Sequence, residues 1–322
     1  MATPEKKILV LTHGRDIHGY ALKVLMDDCQ VDILPIEKVQ GNVTYSWLSQ
    51  GNLLRKSDLS EHAYDVVWYR RSHIPRPPHD NQEDELRARL VDAECNAFLM
   101  GVALSQKSAI QLNPVGSALR AENKINQLLA ARSAGMVVPR TLISQECEEV
   151  FHFNRQMKGK VIVKKLMGVQ GIPLATVVLS SLEKIDCATI RECPTMYQEC
   201  IAGTRHIRLC VWGNQMHWFE IVSDALDWRI EECEILPLKD PPEGLADCVH
   251  SFMRILGLRM AMLDFKLDMD GTPFFLEANQ QGQFLFLQEE TGVALIESFA
   301  AYVRSLAREA RTAVAMEEGA PA

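Results

Sequence analysis

Three common signatures of nucleotide and metal chemistry are missing from these 322 residues. No GxxxxGK[ST] run occurs and no GxGxxG opens a helix, so neither a P-loop nor a dinucleotide-binding turn is indicated. No CxxC pair or Cys/His ligand spacing occurs among the nine cysteines, at positions 29, 95, 147, 187, 193, 200, 210, 233 and 248. An odd, unpatterned set reads as reduced thiols in a cytoplasmic protein, not as a disulfide framework or a zinc site. Excess positive charge is also lacking. The net charge of −8 argues against a sequence-independent grip on nucleic acid, which needs clustered Lys and Arg. No apolar run is long enough to cross a bilayer. The run Ile8 to Leu11 after Lys6 and Lys7 is too short for a signal segment and reads as a first strand. The expectation is a soluble cytoplasmic protein with neither a nucleic-acid nor a membrane partner.

What is present is ordinary for a folded enzyme: 47% hydrophobic and 24% charged residues. The length exceeds one compact core, so two or three subdomains are expected. The N-terminal third alternates strands with helices, an α/β pattern. Strands are expected over 6–12, 31–36 and 66–69. The first helix carries Tyr20, Val24 and Leu25 at helical spacing. After the Pro-rich IPRPP turn, a second helix shows a stripe at Leu86, Leu90, Ala93, Ala97, Gly101 and Leu104. A helix follows Asn113-Pro114, with Ile125, Leu128, Leu129 and Arg132 in register and Gly135 as its stop. Extended runs then dominate: KVIVKKL, ATVVL after a loop with Gly168 and Gly171, MYQECI, HIRLCVWG and MHWFEIVS. A helix near 244–256 ends at Gly257, and a closing helix shows Ile296, Phe299, Val303 and Leu306. The Ala/Glu-rich tail beyond about Ala310 is expected to fray. No internal repeat occurs.

The most informative segment is LDFKLDMDGTPFFLEANQQG. Asp270-Gly271 between alternating runs is a two-residue hairpin signal. A turn there sets Phe265 opposite Leu276, Leu267 opposite Phe274, and Asp264 opposite Glu277, with Asn279 on the same side. Carboxylates roughly 5 Å apart repel, by on the order of 3 kcal/mol at an effective dielectric near 20. Two readings fit. Either a hard divalent cation is held by Asp264, Glu277 and Asn279, or this is a solvated face partly balanced by Lys266. Lys124 lies early in a helix on a face different from Ile125, Lys164 ends the strand KVIVKK before a Gly-bearing loop, and Arg208 sits in the apolar strand HIRLCV. Each taken alone reads more readily as an ordinary surface cation than as a phosphate ligand. Together they suit phosphate chemistry, which rests on positioned cations and donors.

In order along the chain, VVWYRR, NPVGSALRAENKINQLLAARSAGMVVPRTLIS, VIVKKL, YQECI, HIRLCVWG, DWR, LDFKLDMDG and FLEANQQGQ resemble the ATP-grasp ligases. More narrowly, they resemble the maturases that install ester or amide crosslinks in ribosomally made peptides (microviridin-type, or graspetide, enzymes). The resemblance covers nearly the whole chain and implies an α/β (α+β) ATP-grasp fold. It implies an N-terminal domain over 1–113, a central subdomain over 114–198, a C-terminal subdomain with the metal site over 199–310, and a disordered tail over 311–322. It implies ATP and Mg²⁺ as cofactors. Lys124 and Lys164 match the nucleotide-phosphate lysines, and Gln198, Glu199, Cys200 and Ile201 match the hinge that holds adenine largely through backbone groups. Arg208 matches the arginine that steadies the transferred phosphate, and Arg229 one near the reacting carboxylate. Asp264, Glu277 and Asn279 match the magnesium ligands. Arg70 and Arg71 are left between substrate contact, subunit contact and structure. A precursor peptide is the implied partner, and a homodimer is common among similar proteins.

The chain departs from that family's pattern at three places. His206 stands where relatives carry an acid, Gln280 replaces a common proline, and FLFLQEETG lacks tryptophan. Other readings therefore stay open: ligation of a free amino acid or a protein C-terminus, as in glutathione-synthetase-like or ribosomal-protein-modifying relatives, and a non-catalytic nucleotide-binding protein.

Overall fold

The structure, a computed structural model, describes residues 6–40, 64–70, 81–166, 176–179, 186–230 and 233–318. In chain order its elements begin with β1 Lys6–Thr12, α1 Ile17–Leu25, β2 Cys29–Pro35, α2 Ile36–Gln40, β3 Val66–Tyr69, α3 Gln82–Ser105 and β4 Ile110–Leu112. They continue with α4 Val115–Glu122, α5 Lys124–Ser133, β5 Thr141–Ser144, α6 Cys147–Gln156, β6 Val161–Lys164, β7 Val177–Val178, α7 Cys187–Glu192 and β8 Thr195–Glu199. The remainder is β9 Arg205–Trp212, β10 Gln215–Val222, β11 Glu234–Pro237, α8 Leu245–Leu256, β12 Met260–Leu267, β13 Pro273–Asn279, α9 Leu285–Thr291 and α10 Leu295–Glu318.

These elements form two compact units. The first takes the residues up to Ala118, Leu258–Met260 and those from Gln281 onward. Its sheet, in the order β2-β1-β3-β4, is parallel throughout. Parallel strands are covered on both faces, which is why β1 and β3 read as continuous apolar runs instead of alternating ones. Leu9, Leu11, Leu34 and Val67 pack with Leu99, Val102 and Ala103 of α3. Trp68 stacks on Phe299 of α10 at 4.7 Å between ring centroids. The expected apolar face of α10, with Ile296, Phe299, Val303 and Leu306, is buried.

Three expectations for this unit are corrected. In α1 the buried residues are His18, Gly19 and Leu22, while Tyr20 and Val24 are exposed. Polar pairing is the reason: His18 Nδ1 lies 3.1 Å from Asp16 Oδ1, and its Nε2 accepts from the Phe284 amide. The stripe on α3 faces outward, because Leu99, Val102 and Ala103 on the opposite side fill the core. The chain stays helical beyond Ala310 as far as Glu318, and Arg311 donates to both oxygens of Asp65 at 2.9–3.0 Å. Arg70, left open between substrate contact, subunit contact and structure, is fully buried, pairs with Asp16 and donates to the Gly282 carbonyl. Arg71, the IPRPP turn and the Gly168–Gly171 loop lie outside the described residues.

The second unit spans Leu119–Gly257 and Ala261–Gln280. It holds a four-stranded antiparallel sheet, β5-β8-β6-β7, and a five-stranded sheet, β11-β10-β9-β12-β13. Helix α8 has Leu245, Val249, Phe252 and Leu256 buried, ends at Gly257 with φ +69°, and sets Phe252 on Phe275 of β13. The helix expected after Pro114 is two helices, because Asn123 caps a new one by accepting from the Asn126 amide. Its buried residues are Gln127, Ala130 and Ala131, not the expected Ile125 and Leu129, which are exposed. One pair of cysteines departs from the free-thiol expectation: Cys147 and Cys187, at the starts of α6 and α7, form a disulfide. Among the described residues, no helix is long and apolar enough to cross a membrane.

Candidate functional site

The hairpin β12–β13 aligns Asp264 with Glu277, as expected, but by a different route. The turn is not two residues. Asp268 accepts from the amides of Asp270 and Thr272, and Gly271 takes φ +83°, so the loop runs from Asp268 to Thr272. This puts Phe265 opposite Phe275 and Leu267 opposite Pro273, one residue away from the expected partners. A bulge between Asp264 and Phe265 absorbs the extra residue and restores the carboxylate pair. Asn279 ends the strand opposite Met262.

The pair is not a solvated face. Asp264 is 7% exposed, and its neutralising charge comes from the adjacent strand β9, where Arg208 Nη1 donates to Asp264 Oδ2 at 2.7 Å. Lys124, the first residue of α5, donates to Glu277 Oε2 at 2.7 Å. Arg229 reaches Glu277 Oε1 at 3.4 Å and is itself gripped by both oxygens of Asp227. Lys164 at the end of β6 donates to Gln198 Oε1 at 2.9 Å, and Gln198 Nε2 in turn donates to Thr141 Oγ1. Four cations (Lys124, Lys164, Arg208, Arg229) thus gather around three carboxylates (Asp227, Asp264, Glu277). That leaves a positive surplus suited to an anion.

The titration behaviour follows from this crowding. Burial pushes the Asp264 carboxyl up, against the pull of Arg208. Burial also opposes the Glu277 charge, but Lys124, Arg229 and Lys164 overcome it and hold Glu277 at about 2. Burial, with repulsion from Lys124 and Arg229, lowers Lys164 to about 8. His206 on β9 is buried with no hydrogen-bond partner at Nε2, and burial and Lys266 lower it to about 4. Burial thus favours its neutral form.

The residues fit a divalent cation. Asp264 Oδ1 is buried and lacks a hydrogen-bond partner, a costly state that metal coordination would relieve. Among the described residues no group of three or more His, Cys, Asp or Glu is placed to hold a metal ion by itself. Two carboxylates and an amide suit an ion that keeps its other positions for water and phosphate, as Mg²⁺ does.

The expected adenine hinge is partly committed elsewhere. The Glu199 amide donates to the Arg140 carbonyl and the Cys200 amide to the Lys160 carbonyl. Gln198 is buried in the sheet, and its side chain serves Lys164. The Ile201 amide makes no backbone bond among the described residues. Beyond it, Gly203 takes φ +132°, and a Cβ there would lie 2.4 Å from the Leu267 carbonyl, so only glycine fits.

Sequence reasoning missed Gln127. From the buried face of α5 it donates to the Ala278 carbonyl at 2.8 Å and accepts from the Ala278 amide at 2.9 Å, gripping the residue between Glu277 and Asn279. The only signal in the sequence was a polar residue interrupting an apolar helix. Gln280 likewise donates to Glu122 at 3.2 Å.

No protein-family profile matches the chain, and neither does any curated protein sequence. Solved structures do match. The macrocyclase MdnC from Microcystis aeruginosa MRC, bound with precursor peptide MdnA, superposes with TM-score 0.78 at 22% identity, covering 92% of this chain and 98% of MdnC. The ATP-grasp ligase PsnB, complexed with minimal precursor, Mg and ADP, gives 0.77 at 21% identity over 93% and 97%. A Chryseobacterium gregarium RiPP-associated ATP-grasp ligase, in complex with ADP and a leader and core peptide, gives 0.73 at 21% over 92% and 95%. The chain has the ATP-grasp fold.

Proposed function

We propose that this chain is an ATP-dependent ligase acting on a ribosomally made precursor peptide. It would activate a peptide side-chain carboxylate as an acyl phosphate and join it to a hydroxyl or amine of the same peptide, giving an ester or amide crosslink. One observation carries the reading: three cations pair with Asp264 and Glu277, with Lys164 nearby, and the buried Asp264 Oδ1 is left without a partner. A protein that had lost catalysis has no physical reason to keep so costly an arrangement.

Asp264, Glu277 and Asn279 would hold Mg²⁺, which when bound supplies charge neutralisation between these oxygens and the nucleotide phosphates. Lys124 and Arg208 neutralise the two carboxylates in the ligand-free protein. Lys164, steadied by Gln198, presents an ammonium to the same charge. Arg208 stabilises the charge that develops during transfer. Arg229 is 54% exposed at its side chain and is placed to meet an incoming carboxylate. The Ile201 amide and the carbonyls beside it are the donors and acceptors left for adenine. Displacement of phosphate by the acceptor would rest mainly on proximity. A peptide substrate is supported by overlap, along nearly the full chain, with ligases crystallised on precursor peptides.

The test is to incubate the chain with ATP, Mg²⁺ and precursor peptides carrying acidic and Thr, Ser or Lys side chains. The expected result is one ADP released and one water lost per crosslink. Ligation of free amino acids with no peptide dehydration would transfer the assignment to the amino-acid reading. Glu277→Gln is expected to abolish turnover while keeping the circular dichroism spectrum, and wild-type activity in that variant would remove the metal assignment.

A further inference from the structure

Strand β5 is an outer strand of the sheet β5-β8-β6-β7 and pairs only with β8. The bonds of β8 alternate between its two neighbours. The Glu199 amide donates to the Arg140 carbonyl, and the Cys200 amide to the Lys160 carbonyl on the other side. In an antiparallel ladder the hydrogen-bonded pairs recur at every second residue. Tyr197 and Thr195 therefore bond β5, while Gln198 and Met196 bond β6. This turns the amides and carbonyls of Thr141 and Ile143 outward, where they meet no backbone partner among the described residues. A groove of about 540 Å³ lies at the same place, lined by Thr141 and Ile143 and by Ile125, Leu128 and Leu129 of α5. Its apolar wall is open to solvent, since Ile125 and Leu129 are 45% and 56% exposed. Arg132 on α5 and Arg140 before β5 also line it. Neither guanidinium makes an ion pair or a hydrogen bond among the described residues. Glu199 at this end accepts from the Arg140 backbone amide instead, at 3.3 Å. Proline and charge commonly blunt an outer strand, as Pro139 and Arg140 do here, but that does not account for an apolar wall facing the outward backbone.

We propose that this groove binds an extended, acidic segment of the precursor peptide, which adds to β5 as a further strand. Main-chain bonds to Thr141 and Ile143 hold the segment, and alternate apolar side chains enter the wall on α5. Carboxylates beside them meet Arg132 and Arg140, the charge that selects an acidic strand over a neutral or basic one. The four residues of β5 offer about 13 Å of edge, enough for about four residues of peptide. No metal ligand and no phosphate cation lines the groove, so the segment it holds is not the one being joined. The precursor as source rests on the ligase reading, whereas the groove, its edge and its charge do not.

Fluorescence anisotropy on the full chain, with a labelled eight-residue peptide alternating valine and glutamate, tests the groove without turnover. The wild type is expected to bind this probe, and hydrogen exchange over residues 139–145 to slow in its presence. Leu129→Glu should weaken binding by about tenfold with unchanged circular dichroism and melting, because Leu129 is exposed. A probe with lysine in place of glutamate should lose a similar factor. N-methylation at alternate residues should abolish binding in one frame and spare it in the other, since only one set of amides faces β5. With a precursor peptide as substrate, Leu129→Glu should raise KM by about tenfold at unchanged kcat. A wild type that binds no probe overturns the proposal, whether another stretch of chain or nothing covers the edge. Binding unmoved by Leu129→Glu overturns the site, equal binding of the lysine probe overturns the charge selection, and equal binding of both methylated frames overturns the strand pairing. An unchanged KM in Leu129→Glu overturns the precursor as occupant. A wild type that binds the probe but crosslinks no peptide refutes the ligase reading and leaves the groove standing.

Discussion

Among single residues, Lys164 shows most clearly how the site's charge balance is set. Its ammonium is lowered to about 8 by burial and by Lys124 and Arg229. An unfolded chain keeps this proton up to the ordinary value of 10.5. Between those values the unfolded state therefore binds more protons, and this group's contribution to stability rises with pH there. Nucleotide binding has the opposite sign, since phosphate favours the protonated amine. Affinity for ADP is therefore expected to fall as pH rises through about 8, with proton uptake on binding near that pH. Calorimetry in buffers of different ionisation enthalpy measures that uptake, and Lys164→Met should remove it. His206, lowered to about 4 by burial and Lys266, is expected to add nothing to the profile near pH 8.

At the level of elements, the contact that matters most joins α5 to β13. Gln127 satisfies both backbone groups of Ala278, the residue between Glu277 and Asn279. Gln127→Ala leaves those groups buried without partners, a cost of about 1–3 kcal/mol. It should lower the melting temperature and reduce kcat by roughly tenfold to a hundredfold through displaced ligands. Single-turnover kinetics alongside thermal melting separates the two effects, and a variant that is destabilised but turns over normally would show Gln127 to be purely structural. The hairpin that carries Asp264 and Glu277 shows how such an element can be half legible. Alternation gave the carboxylate pair, but a five-residue loop and a bulge produced it where a two-residue turn was expected. Bulges leave little local signal, since they depend on how the strand must bend against its neighbours.

For the molecule as a whole, ligand binding should report on the entire second unit. Four cations held near three carboxylates favour a folded state that has bound an anion, and a ligand at one hundred times its Kd adds about 2.7 kcal/mol. Mg²⁺ with ADP is therefore expected to raise the melting temperature by several degrees, with a smaller shift when EDTA is present. In Glu277→Gln the EDTA difference should vanish. A thermal-shift series with and without the chelator checks this.

Much of the architecture was legible in the residues. The buried strands β1 and β3, the helix ending at Gly257, the closing helix face and the opposed carboxylates all follow from local periodicity and turn chemistry. The site cations were legible as candidates, though a lysine or arginine in a strand carries no mark of what it faces. Which faces were buried was decided by the tertiary structure. His18 lies inside because Asp16 and the Phe284 amide satisfy it, and the α3 stripe lies outside because the core is filled from the other side. Residues 281–318 joined the first unit for the same reason, their apolar side chains being buried against partners far away in the chain. Periodicity states that a face is apolar, while only packing states what covers it. The sequence by itself therefore determined the elements and the charged groups of the site, and the tertiary structure determined their neighbours, because burial depends on contacts between residues distant along the chain.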